Sequence, residues 1–148
     1  MILEPIGTVR SPVTEGVDEG WGTVTSEIVL DEMYAPGLTG LDSFSHVIVV
    51  FHMHRSTFHP ATHLVRRVQG RSDMPITGIF AQRAKHRPNP IGVTAAELLS
   101  VVGNVVTVRG LDAIDGTPVL DLKPYFPQFD RRDAEIPSWV DELMENYF

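Results

Sequence analysis

The stretch RAKHRPNPIGVT, residues 83–94, holds the residue types and spacing that could most directly do chemistry. Two prolines bracket Asn89, and proline fixes its own φ, lacks an N–H and biases the preceding residue towards extended backbone. Asn89 is therefore presented on a stiff backbone beside three cations, Arg83, Lys85 and Arg87. The pattern indicates a rigid binding loop. The alternative is a plain turn, because Asn-Pro commonly marks turns.

A second cluster lies in GLDAIDGTPVLDLKPY, where three aspartates fall within ten residues. They are Asp112, Asp115 and Asp121, and Lys123 and Tyr125 follow closely. Carboxylates at this spacing are candidates for acid–base work. The alternative is turn chemistry, because Asp-Gly forms tight turns and Asp favours turns in general.

The histidines raise the question of a metal site. His46, His52 and His54 share one face of a predicted strand, and His59 and His63 are four residues apart. A barrel with a His-x-His pair can bind zinc or iron. Their surroundings offer no carboxylate except Asp73, so we predict that the protein holds no metal.

Several catalytic classes lack the residues they need. The chain has no cysteine, which removes disulfides, thiolate nucleophiles and zinc–thiolate sites. It carries no G-x-S-x-G elbow, and Ser45 and His46 are neighbours that face opposite sides of a strand. Phosphate-loop and dinucleotide-binding glycine motifs are also missing. The sequence therefore disfavours serine or cysteine hydrolases and Rossmann-type enzymes.

Charge is divided unequally along the chain, which has 148 residues and a net charge of −7. Residues 46–87, called the basic segment below, contain seven of the twelve Lys and Arg residues, all six histidines and one acid, Asp73. This segment carries +6, and the rest of the chain carries −13. Such a division predicts a localised anion-binding surface on an acidic body, or else an ordinary solvated basic loop.

Strand patterns dominate the sequence. WGTVTSEIVL alternates apolar and polar residues, and FSHVIVVFHMH is rich in β-branched and aromatic residues. Residues 92–102 suit a strand or a short helix, and Gly103-Asn104 and Asp115-Gly116 each predict a hairpin. A parallel sheet requires helices or other long connections between its strands, and the sequence predicts no helices there. We therefore predict an all-β fold, a small antiparallel β-barrel of about seven strands.

Only the C-terminal tail is predicted to be helical, through apolar residues at three- and four-residue steps after Pro137. We expect a barrel domain over residues 1–130 and a helical tail over residues 131–148, whose apolar face must bury against the barrel or a second subunit. Residues 53–73 have no clean period and are expected to form a long functional loop. With no signal peptide and no long apolar run, we expect a cytoplasmic protein without a membrane segment.

Four segments together resemble one family, the TrmO (also called TsaA or YaeB) family of S-adenosylmethionine-dependent tRNA methyltransferases. In order they are IGTVRSP, GLTGLDSFSHVIVVFHMH, GIFAQRAKHRPNPIGVT and LDAIDGTPVLDLKPY. The resemblance implies a small β-barrel that works as a homodimer and methylates N6 of threonylcarbamoyladenosine at position 37 of tRNA. The chain departs from the family near residue 20, where DEGWGTV replaces an Arg-Gln-Pro-Gly element. It looks like a short, divergent branch.

The resemblance also implies which positions hold the cofactor, S-adenosyl-L-methionine. The matching positions are His52, Met53, Arg83, Val93, Thr94, Asp112, Ile114, Asp115, Gly116 and Thr117. Trp21 stands in the departing element, and we expect it to replace that element by stacking on the cofactor. Asp112 or Asp115 is expected to meet the amine or the sulfonium, and Arg83 to bind the carboxylate through its forked guanidinium.

The acceptor implied by the resemblance is a nitrogen in a urea-like group, a poor nucleophile, so a base should help to remove its proton. We predict Asp115 as the base and Asn89 as the residue that hydrogen-bonds the adenine edge. Substrate contacts are predicted at Arg66, Arg67, Lys85, Arg87, Asn89, Lys123 and Tyr125. Three other hypotheses stay open: a cofactor-binding regulatory module without catalysis, a methyltransferase of small molecules, and a metal-dependent barrel enzyme.

Overall fold

A closed antiparallel barrel of six strands is the centre of the computed structural model, which describes residues 1–148. The chain forms eight strands in all: β1 (Gly7–Arg10), β2 (Thr25–Leu30), β3 (His46–His52), β4 (Val65–Arg67), β5 (Ile76–Gly78), β6 (Ile91–Val102), β7 (Val105–Arg109) and β8 (Pro118–Pro124). The order around the barrel is β1-β2-β7-β6-β3-β8, and β4 and β5 form a separate two-stranded sheet. The predicted all-β antiparallel barrel is confirmed, and six strands close it where about seven were predicted.

Side-chain alternation decides which face of each strand fills the barrel. In β3, Val47, Val49 and Phe51 are buried and the residues between them are partly exposed. In β7, Val106 and Val108 point inwards in the same way. These β-branched and aromatic residues suit a pleated, half-buried surface, so the sequence pattern and the burial agree.

The hairpin predicted at Gly103-Asn104 is confirmed, since it joins β6 to β7. Gly103 has a φ of 61°, a left-handed conformation that glycine adopts without a steric cost. The Asn104 side chain donates a hydrogen bond of 2.6 Å to the backbone carbonyl of Leu30, which ties the turn to β2. Residues 92–102, ambiguous in sequence, belong to β6, because pairing with β3 and β7 along its length favours the strand.

The hairpin predicted at Asp115-Gly116 is wrong. β7 and β8 are not neighbours, and β8 pairs with β1 and β3 instead. The amides of the turn bond to β1 and to the chain just after it: Gly116 N–H donates to the Val9 carbonyl at 2.8 Å, and Asp115 N–H to the Val13 carbonyl at 2.7 Å. The same turn chemistry therefore carries the chain across the end of the barrel.

Three short α-helices complete the fold: α1 (Pro60–His63), α2 (Pro127–Asp130) and α3 (Ser138–Met144). α3 confirms the helix predicted in the tail. The long loop predicted over residues 53–73 is only partly correct, because it contains α1 and β4. Buried Gln82 ties this part together, since its Nε2 donates to the carbonyl of Arg66 at 3.1 Å and to the hydroxyl of Thr77 at 2.9 Å. None of the helices has the length and apolar character needed to cross a membrane.

Candidate functional site at one end of the barrel

The candidate site lies where β3 ends and β6 begins. His52 pairs with Ile91 across these two strands, and the Met53 amide donates to the Pro90 carbonyl at 2.8 Å. This pairing brings His52 and Met53 against residues 87–90, called the RPNP loop below. The segment that joins β7 to β8 reaches the same end, which we call the rim of the barrel.

Asp112 is held at the rim by two hydroxyl groups. Thr94 Oγ1 donates to Asp112 Oδ1, and Tyr147 Oη donates to Asp112 Oδ2. Burial first, and the negative charge of Asp112 second, raise the pKa of Tyr147 well above its ordinary value. The phenol therefore keeps its proton and acts as a donor, and each carboxylate oxygen of Asp112 has a fixed partner.

Arg83 lies beside these residues. Its Nη2 donates to the Val93 carbonyl at 2.7 Å, and the side chain is otherwise exposed and has no acidic partner. A guanidinium carries five N–H donors, so one contact leaves most of the fork available to an anion. The structure thus brings together Arg83, Val93, Thr94 and Asp112, four of the positions predicted to hold the cofactor.

The turn from Ile114 to Thr117 completes the rim on one side. Thr117 closes it through its hydroxyl, which donates to the Ile114 carbonyl at 2.7 Å. Asp115 is exposed, and its Oδ1 accepts a hydrogen bond of 3.0 Å from the Ser11 amide. Gly116 is exposed too, and the nearest group to a side chain built there would be His54 Nε2, at 4.0 Å.

Trp21 lies at the same end but is enclosed. Its exposed fraction is 2%, and its Nε1 donates to the Val17 carbonyl at 3.0 Å. Its backbone N–H also donates to the carbonyl of Tyr147 at 2.8 Å. The stacking expected of Trp21 would therefore require the surrounding segments to move.

The RPNP loop presents Asn89 and folds Arg87 inwards. Asn89 is exposed, and its side chain makes no hydrogen bond within the chain, while its backbone carbonyl accepts from the Ile91 amide at 2.8 Å. Arg87 Nη1 donates to the carbonyls of Gln82 (3.0 Å) and Ala84 (3.2 Å), so this guanidinium stiffens its own loop. Of the two side chains, Asn89 is the one free to meet a ligand.

Apart from Arg71, the cations of the basic segment lack acidic partners. Within residues 46–87 the only salt bridge joins Arg71 to Asp73. Arg67 donates to the Met74 carbonyl at 2.6 Å and Arg66 to the carbonyl of Arg67, while Lys85 is exposed. The +6 charge of this segment is therefore not neutralised locally.

A stack of aromatic rings runs through the same segment. The His63 ring lies 4.8 Å from the His86 ring and 5.7 Å from the His59 ring, measured between centroids, and Phe58 is 6.1 Å from His63. Rings of this kind can stack on nucleobases. Cations and aromatic rings thus occur together near the rim.

Lys123 and Tyr125, two predicted substrate residues, lie at the other end of the barrel. Lys123 pairs with Ile48 near the start of β3, and the Tyr125 ring packs against His46 at 6.1 Å. Lys123 is also bound to Asp121 at 2.8 Å. Six residues of extended strand, about 20 Å, separate His46 from the rim residue His52. The structure does not bring this pair to the candidate site.

Two rim residues were not among the predicted contacts, His54 and Tyr147. His54 Nδ1 is buried and has no hydrogen-bond partner. Burial first, and then the charges of Arg55 and His52, lower the pKa of His54, while the backbone of His52 acts in the opposite direction. The signal for His54 was its place in the His-x-His pair at the end of β3. Tyr147 gave no sequence signal, because 35 residues separate it from Asp112.

A cationic fork, a held carboxylate and an unpartnered buried ring nitrogen therefore meet at one rim. These groups fit a zwitterionic ligand such as S-adenosylmethionine, whose carboxylate, amine and sulfonium need opposite charges. No three of the His, Asp and Glu side chains are grouped closely enough to hold a metal ion. Fold and site together define a small β-barrel protein with a candidate cofactor site at its rim.

The comparisons with known proteins identify the family. A family model described as the N-terminal domain of tRNA-methyltransferase O (TrmO_N) matches residues 17–131. The chain belongs to this family.

Individual relatives differ in how much of their length the chain covers. An S-adenosyl-L-methionine-binding protein of Archaeoglobus fulgidus is 39% identical over 134 residues, which cover 88% of this chain and 93% of that protein. The tRNA (adenine(37)-N6)-methyltransferase of Escherichia coli is 39% identical over 138 residues, 84% of this chain and 57% of that one. The crystal structure of TrmO from Pseudomonas aeruginosa superimposes with a TM-score of 0.72 at 31% identity, over 91% of this chain and 60% of that one. The chain thus spans about three-fifths of the last two proteins.

Proposed function

We propose that this protein is an S-adenosylmethionine-dependent methyltransferase that acts on tRNA, at N6 of threonylcarbamoyladenosine 37. The observation that carries the proposal is the rim itself. Asp112 lies there with Arg83, which belongs to the basic segment, and the cations of this segment have no acidic partners, apart from Arg71. The methyl donor can therefore bind at the rim, and the polyanionic acceptor can bind next to it on the basic segment. A tRNA substrate also supports the cytoplasmic location that we propose.

Charge complementarity assigns the cofactor contacts. Arg83 holds the α-carboxylate, since a charge-assisted, forked contact suits that group. Asp112, fixed by Thr94 and Tyr147, faces the amine. When bound, the cofactor supplies a methyl group on a sulfonium, and the rim residues contribute mainly by fixing its position relative to the acceptor.

The acceptor nitrogen needs a base and an orienting group. Asp115 is exposed at the rim, and the Ser11 amide fixes one of its oxygens, which leaves the other to accept the N6 proton. Asn89 lies just before the start of β6, and its free side-chain amide is suited to hydrogen-bond the adenine edge. Arg66, Arg67 and Lys85 bind phosphates of the tRNA.

The protein works as a homodimer through exposed apolar residues. The tail helix is not the best candidate for the interface, because its Val140, Leu143 and Met144 are already partly buried within the chain. The sheet of β4 and β5 and the turn that follows it instead expose Val65, Ile76 and Phe80, the last to 78%. Sedimentation should give a dimer at micromolar concentration, and a Phe80→Ser variant should shift it towards monomer. A wild-type monomer unchanged by the cofactor contradicts this.

The function is tested by methyl transfer from labelled S-adenosylmethionine. Bulk tRNA should accept label, and an unmodified transcript of the same tRNA should not, because it lacks the threonylcarbamoyl group. Asn89→Ala should reduce transfer while leaving cofactor binding unchanged. Treatment with a chelator should leave both unchanged, and recovery of lost binding by zinc would favour a metal-dependent enzyme instead.

A second candidate function is a cofactor-binding module without catalysis. It is favoured by the A. fulgidus relative, named as a binding protein, of which the chain covers nearly the whole length. Binding of S-adenosylmethionine without transfer to tRNA would support this candidate. Transfer to small molecules alone would indicate a different acceptor.

A further inference from the structure

The last residues of the chain fit closely against the loop before β2. Gly20 N–H donates to the Asn146 carbonyl and Trp21 N–H to the Tyr147 carbonyl, both at 2.8 Å. A side chain built on Gly22 would stand 2.6 Å from the carbonyl carbon of Phe148, closer than packed atoms allow. Residues 146–148, called the tail segment below, are therefore held by the backbone of residues 20–22.

This contact delivers the Tyr147 phenol to Asp112. Tyr147 Oη donates to one carboxylate oxygen and Thr94 Oγ1 to the other. Tyr147 is partly buried, and Arg83 is near enough for its charge to act on the phenol. The tail segment thus reaches the centre of the candidate rim, and it lies outside residues 17–131 that match the family.

Two hydroxyl donors change what the carboxylate can do. Donors on both oxygens restrict rotation about the Cβ–Cγ bond and fix the direction of the carboxylate. An ionised carboxylate has about four acceptor positions, so about two remain for a ligand. Asp112 is therefore a preorganised anion aimed at a cation.

We propose that Tyr147 is a positioning residue for the cofactor, which holds Asp112 where its carboxylate meets the α-amine of S-adenosylmethionine. This inference rests on the proposed function. The opposite role is a lid, in which Tyr147 occupies the ligand's place on Asp112 and must leave before binding. The two roles predict opposite effects when the hydroxyl is removed.

The test is Tyr147→Phe, titrated by calorimetry with three ligands. S-adenosylmethionine and S-adenosylhomocysteine carry the α-amine, and methylthioadenosine lacks it. We expect the first two to bind the variant about tenfold more weakly than wild type, because the variant loses the hydrogen bond that holds the Asp112 carboxylate. Methylthioadenosine should bind both proteins within about twofold. Tyr125→Phe is the matched control and should change none of the three, because it removes the same hydroxyl at the other end of the barrel, where the Tyr125 ring packs against His46.

The outcomes separate this inference from the proposed function. If wild-type protein binds none of the ligands, both the proposed function and this inference are wrong. If the wild type binds, three results for Tyr147→Phe overturn only the inference. These are unchanged affinity for the ligands with an α-amine, higher affinity for them, or an equal loss of affinity for all three ligands. On an Asp112→Asn background, Tyr147→Phe should have no further effect. Should Tyr147→Phe not fold, Thr94→Val is the second variant, since it removes the other hydroxyl donor to Asp112. It must weaken binding of the two ligands with an α-amine and not of methylthioadenosine, and an equal effect on all three affinities would overturn the inference.

Discussion

Arg83 combines a structural contact with an available fork. One nitrogen holds the Val93 carbonyl at the start of β6, and the rest of the guanidinium is exposed. The contact orients the side chain along the rim, which reduces the rotamer freedom that a ligand would otherwise have to restrict. Arg83 therefore fixes the strand that carries Thr94 and keeps most of its N–H donors available to a ligand.

We predict that Arg83→Ala weakens binding of S-adenosylmethionine by roughly 1.5–3 kcal/mol, or about ten- to 150-fold. Arg83→Lys should recover only part of this, because an ammonium keeps the charge but lacks the fork. Arg55→Ala is the control, since Arg55 donates to the Thr14 carbonyl and is not among the cofactor residues. Calorimetry measures the affinities. A change below about twofold for Arg83→Ala would show that its role is purely structural.

His54 makes stability depend on pH. Its pKa is lowered in the folded protein, chiefly by burial, so the unfolded chain binds the proton more tightly. Stability is then complete above the ordinary histidine pKa of about 6.5 and is lost as the pH falls below it. From about pH 7.5 to about pH 5.5, the melting temperature of His54→Gln should fall less than that of wild type. An equal fall in the two proteins would contradict the assignment.

At the scale of elements, local patterns predicted the strands, and pairing decided the rest. Val47, Val49 and Phe51 alternate as a barrel strand must, and Gly103-Asn104 has the backbone freedom a hairpin needs. Asp115-Gly116 has the same turn chemistry, but which strands it joins depends on the closure of the barrel, a long-range property. The sequence predicts the turn and not its partners.

The candidate site shows the same boundary between local and long-range information. Arg83, Val93 and Thr94 lie close in sequence and stay together in the fold. Tyr147 reaches Asp112 only because the tail segment pairs with residues 20–22, and no periodicity encodes that contact. Lys123 follows the Asp112–Thr117 turn in sequence but lies at the far end of the barrel, because β8 carries it there.

Gly92 tests how tightly β6 packs against β3. It pairs with Phe51, and a side chain built at Gly92 would collide with the Phe51 ring. Overfilling a packed core costs about 1–3 kcal/mol, so Gly92→Ala should lower the free energy of unfolding by that amount. Gly37→Ala is the control, because nothing lies within 4 Å of its added carbon, and should stay within about 0.5 kcal/mol. Urea unfolding measures both, and equal effects would contradict the packing argument.

At the scale of the whole molecule, charge is arranged as a basic region on an acidic body. The structure contains three salt bridges, and two of them, Arg109–Glu97 and Lys123–Asp121, lie outside the basic segment. The remaining cations of that segment bond to backbone carbonyls or to nothing within the chain. Because the net charge is −7, diffuse attraction cannot hold a polyanion, and any nucleic acid must contact this one region.

This arrangement predicts how tRNA binding responds to salt. Each phosphate neutralised by a cation releases counterions, so the slope of log affinity against log salt should approach −1 per contact. Replacing Arg66 and Arg67 with alanine should flatten the slope by up to about two and leave the cofactor affinity unchanged. The matched control replaces Arg131 and Arg132, an adjacent exposed pair outside the basic segment, and should leave the slope as it is. Melting curves check that all variants fold, because Arg67 also holds the Met74 carbonyl. If both pairs flatten the slope equally, attraction is diffuse, and if the wild type shows no salt-dependent binding, tRNA is not the acceptor.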